Sequence, residues 1–89
     1  MITLVIYDIS DNAERYRIAK ICKRFGMRRI QKSAFLGDLP PPKRKRLEAR
    51  LRKSLKGRGN IQIFVICRAD FSLRVVIGDH AEDEKIVVI

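Results

Sequence analysis

Asp8 is the residue whose type and setting point most directly to chemistry. It closes the apolar run Leu4-Val5-Ile6-Tyr7-Asp8-Ile9-Ser10, beside an aromatic side chain and just ahead of a cationic stretch. The usual catalytic sets lack their parts here, because the sequence has no Gly-rich phosphate loop, no HExxH, and no Ser or Cys with a plausible histidine base. Cys22 and Cys67 stand far apart, in no CxxC or Cys/His ligand spacing and at apolar positions, so both are expected to be buried free thiols. His80 has no second His or Cys near it and reads as a solvated loop residue.

Asp8 itself supports two readings. Aspartate after a strand often forms an Asx turn or caps the next helix. Alternatively it anchors Mg²⁺, which takes six hard oxygens but commonly binds through one or two carboxylates plus waters and phosphates. A two-fold axis would supply a second Asp8, with one shared cation offsetting the repulsion between them. Such an ion stabilises charge developing on a cleaved phosphodiester, while Arg15 and Arg17 would serve as bidentate phosphate ligands.

The elements that position these residues follow from periodicity. Residues 2–7 alternate as a strand, with Ile2, Leu4 and Ile6 on one face and Val5 and Tyr7 on the other. Asp11-Asn12-Ala13-Glu14 resembles a capping box, and Ile18, Ile21, Cys22 and Phe25 then recur at helical spacing until Gly26 supplies a stop. Residues 27–39 suit two short, tightly connected strands. Pro40-Pro41-Pro42 opens a second helix carrying Leu47, Leu51 and Leu55. Residues 57–60 turn the chain, and residues 61–67 form the clearest strand, with Ile61, Ile63, Val65 and Cys67 on one face and Phe64 and Ile66 on the other. Residues 73–77 and 85–89 read as two further short strands, split by an acidic loop over 78–84.

The order β-α-β-β-α-β with a C-terminal addition matches the α+β, ferredoxin-like plan of an antiparallel sheet with two helices on one face. In that plan Val5, Tyr7, Phe64 and Ile66 are expected on the uncovered face, where a second copy would shield them. Residues 86–89 would form an edge strand seeking a partner. The whole chain, 1–89, is expected to be one domain, since 89 residues bury only roughly 60–65% of the unfolded surface and leave a thin core. The longest apolar run, residues 63–67, falls far short of the ~20 needed to cross a membrane. Residues 1–7 lack the basic start and cleavage site of a signal peptide, so a cytoplasmic location is expected.

Charge narrows the class of partner. Twenty Lys and Arg against ten Asp and Glu leave +10. Eight of the cations lie in residues 14–32 and nine in 43–58, each segment containing one acidic residue. This concentration is the footprint of a polyanion, because solubility alone is usually achieved with mixed charge.

Three stretches together resemble the CRISPR-associated protein two family, the small subunits of the spacer-acquisition machinery. They are Tyr7-Asp8-Ile9-Ser10-Asp11, the pair Arg15 and Arg17, and Gly26-Met27-Arg28-Arg29-Ile30-Gln31-Lys32-Ser33-Ala34-Phe35. The resemblance is close over residues 1–39, fair through Cys67 and weak in the tail. It implies a ferredoxin-like homodimer whose last strand, residues 86–89 within the 78–89 tail, joins the partner's sheet. It also implies that Asp8 is the catalytic, metal-binding position, with Mg²⁺ or Mn²⁺ shared near the dimer axis, and that Tyr7, Arg15, Arg17, Arg29, Ser33 and Phe35 contribute to nucleic-acid binding.

Two functions are implied by that family. One is metal-dependent endonuclease activity on single-stranded RNA or double-stranded DNA. The other is a scaffold that bridges dimers of the adaptation integrase and binds the spacer duplex without cutting. A third reading, an RNA-recognition module on the same topology, would need exposed aromatics on the central strands, for which Tyr7 and Phe64 are the candidates.

Because the cationic segments would release counterions on binding, affinity for duplex DNA is expected to fall about tenfold or more between roughly 50 and 200 mM salt. A titration monitored by fluorescence anisotropy checks this; affinity independent of salt would remove the polyanion reading.

Overall fold

A computed structural model of the chain describes residues 1–79, and the last ten residues lie outside that description. The elements are β1 (Ile2–Asp8), α1 (Asn12–Arg24), β2 (Arg28–Gln31), β3 (Ala34–Asp38), α2 (Pro41–Ser54), β4 (Asn60–Ile66) and a short α3 (Arg68–Phe71). The strands form one sheet in the order β2-β3-β1-β4, with every neighbouring pair antiparallel. This is the ferredoxin-like α+β arrangement, with α1 and α2 packed on one face.

Local signals account for most boundaries. Asp11 caps α1 by accepting from the Glu14 N–H at 2.8 Å. The helix ends where Gly26 adopts φ +82°, with the Met27 N–H on the Cys22 carbonyl and the Gly26 N–H on the Lys23 carbonyl. Glycine takes that left-handed conformation without the penalty a Cβ would bring. At α2, extended Pro40 precedes Pro41 and Pro42, and their missing N–H groups fall where a helix has no internal acceptors. One face of α1 (Ile18, Ile21, Cys22) and one of α2 (Leu47, Leu51) close on Val5, Tyr7 and Phe35 to make the main core.

The register of β1 corrects the expected composition of the two sheet faces. Residues directly opposed in antiparallel strands share a face. Val5 opposes Phe35 and Ile63, so it lies with the helices; Leu4 opposes Leu36 and Phe64 on the other side. Val5 and Tyr7 therefore belong to the core and not to the uncovered face, which instead carries Ile2, Leu4, Ile6, Leu36, Phe64 and Ile66. Phe64 and Ile66 lie on that face as expected.

Two corrections concern the C-terminal half. The strand expected over 61–67 stops at Ile66, and Cys67, half-buried and not fully buried, caps α3 with its sulfur accepting from the Asp70 N–H at 3.4 Å. No strand forms over 73–77. After α3 the described chain is irregular, and Leu73, Val75, Val76 and Ile77 project into solvent because no strand among the described residues lies beside them to receive them. The expected strand at 85–89, most of the acidic loop and His80 lie outside the described residues.

The short helix has a packing role. Phe71 descends onto Ile2 and Leu36 and builds a second, smaller core over one end of the open face, with Leu4, Ile30 and Ile66 packed around it. Asp38 at the end of β3 forms an ion pair with Arg68 and ties α3 to the sheet. The other end of that face stays bare, leaving Ile6 and Phe64 about two-fifths exposed. Among the described residues, no helix is long and apolar enough to cross a membrane.

Leu47 is wholly buried between α2 and the sheet. Leu47→Ala is expected to lose about 2–5 kcal/mol of stability through lost apolar burial and the cavity left behind, measured by urea denaturation.

Candidate nucleic-acid interface and acidic site

Alternation along β1 sends Tyr7 and Asp8 in opposite directions. Tyr7 turns into the helix-side core, while Asp8, the last residue of the strand, is exposed on the other face at its uncovered end. Asp8 opposes Asn60 across the β1–β4 pairing. Gly59, at φ +116°, lies so close that a Cβ there would stand 2.4 Å from the Asp8 carbonyl oxygen. Only a glycine allows the α2–β4 turn to press against the end of β1 in this way.

The other carboxylates of β1 through β4 and their connections are committed to structure. Asp11 caps α1, Glu14 binds the α2–β4 turn, Asp38 pairs with Arg68, and Glu48 pairs with Arg52 at 2.9 Å. Asp8 makes no side-chain hydrogen bond or ion pair among the described residues. The Asx-turn or capping reading is thus not realised, since the cap is Asp11. As a metal ligand, Asp8 offers the hard oxygen that Mg²⁺ takes. Among the described residues, no three His, Cys, Asp or Glu side chains gather at one point.

Residues implied for nucleic-acid binding fall into separate places. Tyr7 and Phe35 stack with ring centroids 6.4 Å apart and planes at 18°. Arg29, opposite Phe35 in the β2–β3 pairing, lays its guanidinium 5.1 Å from the Phe35 centroid. Phe35 is wholly buried and Tyr7 nearly so, which makes the pair a floor beneath Arg29 and not an exposed platform. The RNA-recognition reading therefore loses Tyr7 as an exposed aromatic. Ser33 sits in the β2–β3 turn, half-buried, and its carbonyl accepts from the Tyr7 N–H at 3.0 Å.

Arg15 and Arg17 diverge, being two residues apart on one helix. Arg15 donates to the Ile9 carbonyl at 3.4 Å and to Asn12 Oδ1, and it lines a groove of about 540 Å³ between α1 and β2 with Tyr7 and Arg29. Arg17 lines a second groove of about 400 Å³ between α1 and α2, where Arg24, Arg50, Lys53 and Lys56 converge. The structure thus unites Tyr7, Arg15 and Arg29, with Phe35 beneath, and leaves Arg17 and Asp8 elsewhere. Neither groove includes Asp8.

Burial pushes the Tyr7 hydroxyl above its ordinary range, with Arg29 acting against the shift. Burial likewise drives the Cys22 thiol up to about 12. Both stay protonated at neutral pH, so neither is poised as base or nucleophile.

Glu14 behaves differently from the expected capping box. Its side chain does not return to the helix start but crosses to the α2–β4 turn, accepting from the Lys56 N–H at 2.6 Å and the Gly57 N–H at 3.0 Å, with Arg17 3.7 Å away. These connections hold the turn that abuts Asp8. Sequence spacing alone suggested a local partner; the true one lies 42 residues away.

The family can be placed on these features. The protein is a basic ferredoxin-like domain with an unpaired carboxylate closing β1, and it belongs to the family described as CRISPR associated protein Cas2, whose profile matches residues 1–74. A CRISPR-associated endoribonuclease Cas2 of Korarchaeum cryptofilum is 41% identical over 76 residues, covering 84% of this chain and 82% of that protein. A CRISPR-associated endonuclease Cas1/endonuclease Cas2 fusion of Thermoproteus tenax is 40% identical over 78 residues, covering 84% of this chain and 30% of the fusion. Among solved structures, a cas2 crystal structure superposes with a TM-score of 0.76 at 26% identity, covering 99% of this chain and 98% of that one.

The backbone N–H groups of Lys56 and Gly57 hold the Glu14 carboxyl below its ordinary value of 4.5. A carboxyl lowered in the folded state stabilises fully above its unfolded pKa, and that stabilisation disappears as pH falls through the folded value. Glu14→Gln is accordingly expected to lower the melting temperature at neutral pH, with the gap to the unaltered protein narrowing as pH falls below the ordinary carboxylate range. Calorimetry across that range checks it; a constant gap would show that ionisation of Glu14 does not contribute.

Proposed function

We propose that the protein works as a nucleic-acid-binding homodimer in CRISPR spacer acquisition, and that it cleaves phosphodiester bonds with a divalent metal held by Asp8 of both subunits. The observation that carries this reading is the unpaired Asp8 carboxylate at the bare end of an apolar sheet face. A second copy laid on that face would cover Ile6 and Phe64 and bring a second Asp8 near the first. The exposed apolar side chains of Leu73, Val75, Val76 and Ile77 supply further surface for such a partner.

Mg²⁺ or Mn²⁺ at the paired carboxylates would supply charge stabilisation for the cleaved phosphodiester. The chain's own contributions are separate from that ion. Asp8 provides a hard oxygen donor, and its solvent exposure lets a phosphate reach it. The Arg15 and Arg29 guanidinium groups offer planar donors suited to phosphate oxygens, and Arg17 offers the same from the neighbouring groove. Endoribonuclease is the activity in the name of the Korarchaeum relative, which favours RNA as one substrate. The Thermoproteus fusion, named as endonuclease Cas1 joined to endonuclease Cas2, supports Cas1 as a partner.

One observation favours a second reading, a scaffold that holds the spacer duplex for the integrase without cutting. Neither basic groove is lined by Asp8, whose side chain lies on the opposite face of the sheet, so duplex binding need not use the carboxylate.

Asp8→Asn separates the two roles. The variant is expected to lose Mg²⁺-dependent cleavage of RNA or duplex DNA by at least about a hundredfold, the effect of removing several kcal/mol of transition-state charge stabilisation. Its fold should be kept, since the side chain is exposed and unpaired. Dimer mass by light scattering and integration with Cas1 are measured alongside. Undiminished cleavage by the variant would remove Asp8 from the reaction; loss of cleavage with integration intact would assign both roles to one protein.

A further inference from the structure

Tyr16 occupies a position on α1 that neither the apolar stripe nor the acidic site explains. It stands two residues from Ile18 and is about two-thirds exposed, although it is one of the largest side chains in the protein. It lines the α1–β2 groove with Arg15, Lys20, Arg29 and Lys32, and among the described residues no acidic side chain lines that groove. The Lys20 ammonium lies 5.6 Å from the Tyr16 ring centroid. An electron-rich ring surrounded by cations is the combination that receives a nucleobase while the flanking charges receive its phosphates. At about 540 Å³ the groove is within the range of small-ligand sites.

The second basic groove provides an internal comparison. Between α1 and α2 the lining includes Arg17, Arg24, Arg50 and Lys53 but no aromatic ring. It can follow a phosphate backbone and has nothing on which a base would stack. Tyr7 and Phe35 cannot substitute for Tyr16, because burial hides their faces and Arg29 lies across Phe35.

We infer that the α1–β2 groove is a subsite for an unpaired nucleotide of a single-stranded nucleic acid, with Tyr16 as the stacking surface and Arg15, Arg29 and Lys32 as its phosphate contacts. Bases inside a duplex already stack on their neighbours and present only edges, so duplex binding gains nothing from Tyr16. The groove thereby distinguishes single strands from duplexes on a surface whose charge alone attracts both. This inference rests on the nucleic-acid reading above, but it requires neither Asp8 nor a metal.

Fluorescence anisotropy without divalent metal tests it on the full chain, comparing unaltered protein with Tyr16→Phe and Tyr16→Ala. The probes are a short single strand as RNA and as DNA, a DNA duplex of the same length, and a single strand of abasic sugar-phosphate. Tyr16→Ala is expected to weaken both base-bearing single strands about tenfold, while the duplex and abasic strand change by less than about twofold; Tyr16→Phe keeps the original affinity. Unchanged single-strand affinity in Tyr16→Ala, or an equal loss for all probes, would overturn the stacking role. The expected pattern in a protein that cleaves nothing would remove the nuclease reading and keep this one. Cleavage with no Tyr16 effect would do the reverse.

Discussion

Much of this molecule depends on the pleat of β1. As a central strand, paired on both sides, it directs Thr3, Val5 and Tyr7 into the helix-covered core and Ile2, Leu4, Ile6 and Asp8 onto the opposite face. A slip of one residue would exchange these sets and bury a carboxylate beneath two helices, so the hydrophobic pattern and the acid's position are specified together. The same pairing sets Phe35 beside Val5 and Arg29 above Phe35, which carries the register of β1 out to the edge of the sheet.

The two faces then acquire different chemistry. The helix side concentrates cations in two grooves around α1, and the far side gathers Ile2, Leu4, Ile6, Leu36, Phe64 and Ile66 with the unpaired Asp8 at the end of β1. Phe71 covers the other end of that face, so the bare apolar area and Asp8 are adjacent. Of the acids in β1 through β4 and their connections, Asp8 alone is without a side-chain partner among the described residues. Its freedom follows from the commitments of the others: Asp11 took the helix cap, and Glu14 took the α2–β4 turn.

Those commitments also explain why the end of β1 is well defined. Glu14 anchors Lys56 and Gly57, and Gly59 then packs against the Asp8 backbone. A buried charge accepting two backbone N–H groups is compensated locally, which makes it an acceptable fixture inside a small domain. The electrostatic economy of a +10 chain leaves few acids to spare, and their placement is correspondingly specific.

Periodicity and turn chemistry in the sequence were enough to determine β1 through α2, the ferredoxin-like order, the Asp11 cap, the glycine stop at Gly26 and Asp8 at a strand end. These are local properties, written in spacings of two and four residues. The motif over Tyr7, Asp8, Arg15, Arg17 and residues 26–35 also sufficed to point to the family. What only the tertiary structure decided was relative placement: which face Val5 and Tyr7 join, that Arg15 and Arg17 serve different grooves, that Glu14 reaches Lys56, and that Phe71 packs α3 onto the sheet while the strand expected over 73–77 does not form. Each depends on a partner distant in sequence, through strand register or a long-range hydrogen bond. Alternation within one strand identifies two sets of side chains, but only pairing with β3, β4 and the helices determines which set is buried.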